Sequence, residues 1–156
     1  MKKFLIFSIT IMFNVINLIA QNFEISKENF PKNSLEFLEK YFPELDKQAV
    51  SYFIEFEKDV PRGRIEDYEV HLCDGTVVEF DKNGLLENIE CGNGNYVPTS
   101  ILPEFIKKFL KKYKINNQKV IGYSIERHNL IINYEIELND GTDLSFNKVG
   151  KLIEID

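Results

Sequence analysis

The stretch YEVHLCDGTVVEFDKNG, Tyr68 to Gly84, recurs sixty-six residues later without a gap as YEIELNDGTDLSFNKVG, Tyr134 to Gly150. In both copies large apolar side chains alternate with polar ones. Tyr68, Val70 and Leu72 point one way, while Asp67, Glu69 and His71 point the other, the pattern of a half-buried strand. Asp-Gly then marks a hairpin, and matching the faces selects its loop. A two-residue turn would set Val70 opposite Glu79. A three-residue loop, Cys73-Asp74-Gly75, instead pairs Leu72 with Thr76, Val70 with Val78 and Tyr68 with Phe80. Every large apolar side chain then shares one face, and Gly75 takes the left-handed position such a loop needs. In the second copy Asn139-Asp140-Gly141 pairs Ile136 with Leu144 and Tyr134 with Phe146.

Working outward, each copy continues through a second turn, Phe80–Gly84 or Phe146–Gly150, into a last strand. Leu86 and Ile89 there do not alternate cleanly, which predicts a bulge. Upstream lies another strand, Val50–Glu57 in one copy and Ile121–Glu126 in the other. Before that comes a helix, Phe30–Tyr41 and Leu102–Tyr113, with Pro31 and Pro103 near its start. Phe105, Ile106, Phe109, Leu110 and Tyr113 form a stripe at helical spacing. The predicted fold is therefore α+β: two tandem repeats, each a helix packed on a four-stranded antiparallel meander. The first repeat spans 21–91 and the second 101–156. The Gly- and Asn-rich stretch 92–100 reads as a linker.

Residues 1–20 read as a secretory signal peptide: Lys2 and Lys3, the apolar run Phe4–Phe13, and Ala20 before the cut. Export to the periplasm or medium follows. The net charge of −6 becomes more negative once those lysines leave. Acidity of that kind argues against nucleic acid and against anionic membranes as partners. Thirteen Phe and seven Tyr, with no Trp, supply ample core-forming side chains. Of the two cysteines, Cys73 falls at a hairpin tip and Cys91 at the end of the last strand. A disulfide and a pair of thiols are both compatible with that placement.

Chemistry is sparse. His71 and His128 occupy different places in the repeat, and neither has a nucleophile set beside it by spacing. No Cys/His set has zinc spacing. Asp81–Gly84 lacks the glutamate and further oxygens of a calcium loop. Glu55, Glu57, Asp59, Glu66, Asp67 and Glu69 read as a solvated acidic face, and the Lys107-Lys108 and Lys111-Lys112 pairs as a soluble helix surface. The reading is thus of a non-enzyme without metal or cofactor.

These residues carry a resemblance. The Pro31/Pro103 helices, the Asp74-Gly75 and Asp140-Gly141 turns, and Gly84/Gly150 make the chain from Phe30 to Asp156 similar to the PepSY-like, β-lactamase-inhibitor-like family. The resemblance implies an exported module whose sheet presents a protein-binding face. The residues expected on that face are Glu69, His71, Val77, Glu79, Glu135 and Glu137, acidic where inhibitors of this shape are aromatic. The expected function is an interaction module that binds or inhibits a secreted or periplasmic protein, with a protein or peptide partner. The alternative is a periplasmic sensor of a cation or small ligand.

Overall fold

Both Asp-Gly loops have the register that face matching selects. Leu72 N–H donates to the Thr76 carbonyl at 2.8 Å and Leu138 N–H to Thr142 at 2.9 Å. Gly75 and Gly141 sit at φ +84° and +83°. The computed structural model describes residues 22–43, 50–56, 65–92, 94–116 and 119–156. Residues 1–20, the expected signal peptide, and Asp59–Arg64 lie outside them.

Nine strands are present among the described residues: β1 (Asn22–Ile25), β2 (Ser51–Phe56), β3 (Ile65–His71), β4 (Val77–Asp81), β5 (Leu86–Glu90), β6 (Val120–His128), β7 (Ile131–Leu138), β8 (Asp143–Asn147) and β9 (Leu152–Ile155). Two helices, α1 (Lys32–Tyr41) and α2 (Glu104–Lys112), and a 3-10 turn at Lys27–Asn29 accompany them. In β3–β4 the register is Val70↔Val78 and Tyr68↔Phe80; in β7–β8 it is Ile136↔Leu144 and Tyr134↔Phe146. The expected bulge lies between Glu79 and Phe80, and again between Ser145 and Phe146.

The architecture corrects the expectation of two helix-plus-four-strand units. All nine described strands form one antiparallel sheet in the order β1 to β9, so the described residues are mostly β. The decisive pairing is β5 with β6, where Asn88, Ile89 and Glu90 face Ser124, Tyr123 and Gly122. The physical reason is that an edge strand leaves a row of unpaired backbone groups. Pairing β5 with β6 satisfies them, and it buries Ile89 completely against Tyr123, which is only 3% exposed. Within 92–100, read as a linker, Val97 is buried and its N–H donates to the Val120 carbonyl at 2.9 Å. Strand β1, which the sequence reading did not include, extends the sheet beyond β2.

Both helices cover one face of this sheet. Phe37 meets Phe80 edge-on at 5.6 Å, and Phe109 meets Phe146 at 5.0 Å. Phe80, Phe146, Val70, Val78, Ile136, Ile106 and Leu110 are fully buried between the layers. Each such side chain contributes roughly 1.5–3 kcal/mol relative to exposure. Pro31 and Pro103 cap the helices at φ −58° and −57°, one position ahead of the first helical residue. Glu104 in the first turn and Lys111 and Lys112 in the last turn of α2 suit the helix dipole. Leu72 and Leu138 are both buried, as their strands' alternation requires.

Candidate binding face

Side chains alternate across a sheet, so burying Val70, Val78, Ile89, Tyr123, Ile136 and Leu144 under the helices places their neighbours on the opposite, uncovered face. Two rows cross that face. One runs Phe53, Glu69, Glu79, Asn88, Ser124, Glu135, Ser145, Glu154 through directly paired positions. The other runs Ser51, His71, Val77, Glu90, Gly122, Glu137, Asp143. The six expected contact residues all lie on these rows. Glu69, His71, Val77 and Glu79 occupy one side, and Glu135 and Glu137 the other.

Asn88, Glu90, Gly122 and Ser124 join the two sets, and sequence reading missed them. Nothing local signals their role, because they become neighbours only through the β5–β6 pairing. Here the face sinks into a groove of about 420 Å³ lined by the carboxylates of Glu79, Glu87, Glu90, Glu126, Glu135 and Glu137. Gly122 forms part of its floor. A Cβ there would lie 3.0 Å from the Cβ of Glu137 and 3.1 Å from its Oε2, so the Glu137 side chain rests on the bare backbone.

The electrostatics follow from crowding like charges on a partly desolvated surface. Burial pushes the Glu79 carboxyl above its ordinary 4.5, a hydrogen bond from Asn88 opposes this, and Glu69, Glu90 and Glu87 raise it further. Ser145 Oγ donates to Glu135 Oε2 at 2.8 Å, and Asn88 Nδ2 reaches Glu90 Oε1 at 3.4 Å. At the β3 end, His71 Nε2 lies 2.6 Å from Glu69 Oε1. The Phe53 ring packs on the imidazole at 4.8 Å between centroids. The His71 side chain is 45% exposed and that of Glu69 only 16%, so the imidazole shields its carboxylate partner.

What the face offers is charge and shape. Among the described residues no three His, Cys, Asp or Glu side chains are grouped so as to hold a metal ion. His128 is exposed at the end of β6. No disulfide joins Cys73, exposed at its hairpin tip, to Cys91, half-buried after β5. Burial and the nearby Asp74 push the Cys91 thiol up to about 11, which keeps it protonated and a poor nucleophile at neutral pH. Among the described residues no helix is long and apolar enough to cross a membrane.

The family model described as "Putative beta-lactamase-inhibitor-like, PepSY-like" matches residues 66–154, more than half of the chain. The chain belongs to the PepSY-like family. No curated protein matches it. Three solved structures share the fold of this PepSY-like protein. A "putative calcium-regulated periplasmic protein" of Bacteroides thetaiotaomicron is 29% identical, with 86% of this chain and 96% of that one covered at a TM-score of 0.66. A "putative periplasmic protein of unknown function" of Bacteroides vulgatus ATCC 8482 is 25% identical, with 87% and 99% covered at 0.67. Another "putative periplasmic protein" of that organism is 24% identical, with 86% and 96% covered at 0.69, and bears on the fold alone.

Proposed function

We propose that this PepSY-like chain is a non-enzymatic periplasmic interaction module that binds another protein through the uncovered face of its sheet. The observation that carries the reading is the continuity of that face. One sheet, covered on one side by the two described helices, lines up Glu69, His71, Val77, Glu79, Glu135 and Glu137 across five consecutive strands, β3 to β7. A surface of this sign selects a partner bearing Lys and Arg, and speeds its encounter at low salt. The periplasmic description of the 29% and 25% identical structures and the expected leader support the location. The test is capture from a periplasmic extract by the wild-type chain and by a variant with Glu79→Lys, Glu135→Lys and Glu137→Lys. The wild type retains one partner in a salt-sensitive way and the variant loses it. Equal retention by both contradicts the reading.

A second reading, a calcium-responsive module, is favoured by the "calcium-regulated" description of the 29% identical relative. Calcium that binds the folded chain alone must raise the melting midpoint. An unchanged midpoint in millimolar calcium removes this reading.

A further inference from the structure

Strands β5 and β9 are equivalent in the sequence repeat and in register. Val78↔Ile89 and Phe80↔Leu86 in the first half match Leu144↔Ile155 and Phe146↔Leu152 in the second. Their surroundings differ completely. Ile89 is wholly buried beneath the strand that adds to β5, whereas Ile155 is 61% exposed on β9, the last strand of the described sheet. Asp156 and Asp143 exchange both backbone hydrogen bonds, at 3.0 and 3.1 Å. Alternation along an antiparallel ladder therefore turns the N–H and carbonyl of Ile155 away from β8. In the first half Cys91 N–H bonds the Ile121 carbonyl at 2.8 Å, and the same alternation has Ile89 bond Tyr123. Behind Ile155 lies an apolar groove of about 460 Å³ between α2 and the sheet, lined by Phe109, Tyr113, Ile115, Leu144 and Leu152 among others.

We infer that the β9 edge and this groove receive an extended segment of a partner protein, added antiparallel to β9 as β6 is added to β5. The internal example sets the chemistry of that segment. Its helix-side positions carry an aromatic or large aliphatic residue, as Tyr123 stands over Ile89. Its other positions meet Glu154 and Asp156 on the uncovered face. Lys or Arg there complements those carboxylates. Backbone pairing gives affinity and the alternating side chains give selectivity. A second copy of this chain fits less well, since antiparallel β9 strands would bring Glu154 and Asp156 of both copies together. The inference concerns the sheet edge and stands apart from the reading of the uncovered face.

The test is an amide NMR titration of the full chain with a synthetic peptide of the β6 sequence, Val120–His128, carrying Gly122→Lys and Ser124→Lys. Saturable shifts confined to β9, β8 and α2 are expected. Ile155→Pro removes an N–H that β8 does not use, so folding is retained, while the peptide binds at least about tenfold more weakly as its backbone partner is lost. Several outcomes overturn the inference: no saturable shift at millimolar peptide, shifts at β1 or on the uncovered face instead, unchanged binding to Ile155→Pro, or dimerisation of the chain through β9.

Discussion

Gly84 and Gly150 stand where a methyl group has no room. Both have positive φ, and a Cβ on Gly84 would lie 2.5 Å from Asn33 Oδ1 and 2.8 Å from Pro31 Cβ. On Gly150 it would lie 2.7 Å from Phe105. Each second turn is thus pressed against the start of its helix; in the first half Asn33 Nδ2 and Ser34 Oγ both donate to the Gly84 carbonyl. Either glycine changed to alanine costs about 2–4 kcal/mol, the left-handed penalty plus overpacking. Gly141→Ala, with open space around it, costs only about 1–2 kcal/mol. Urea denaturation of the three variants checks the ranking. Glu79 carries a pH dependence. Its folded carboxyl titrates above the ordinary 4.5, so the folded chain holds that proton more tightly than the unfolded chain does. The site's contribution is then most favourable at low pH and declines as pH rises from the ordinary value through the folded one. Glu79→Gln removes the decline, so its stability relative to wild type rises over that window and is level above it. Urea midpoints measured across pH give the comparison.

At the scale of elements, the hairpins were legible because their information is local. Val70 and Val78 share a face in only one loop length, and Asp-Gly supplies the turn. The helices were legible from their stripes and prolines. The β5–β6 pairing was not, since Asn88 and Ser124 are separated in sequence by α2 and its flanking loops, and the bulge near Phe80 breaks the period of Leu86 and Ile89. Strand β1 is four residues long, too short for alternation to register. The candidate site divided in the same way: its two flanks were readable on their own strands, while the groove between them exists only because the halves are joined. Equivalent residues should therefore respond unequally. Ile89→Ala, at a fully buried position, costs about 2–5 kcal/mol, and Ile155→Ala, mostly exposed, well under that. Chemical denaturation of the two variants gives this contrast directly; similar losses would mean that β5 is no better covered than β9.

For the whole molecule, one sheet makes one cooperative unit and one continuous face. A chain of 156 residues that divided into two small halves would bury proportionally less surface than a single joined core does. The binding reading depends on the same union, because the acidic rows cross from β3 and β4 to β7 only through β5 and β6. The most direct measurement is amide hydrogen exchange at the join. Ile89 and Cys91, whose N–H groups bond across to β6, should exchange as slowly as the central amides of β3 and β7, while Ile155 on the bare edge exchanges fast. If Ile89 and Cys91 exchange as fast as Ile155, the halves are not one sheet, and the face proposed for binding does not exist.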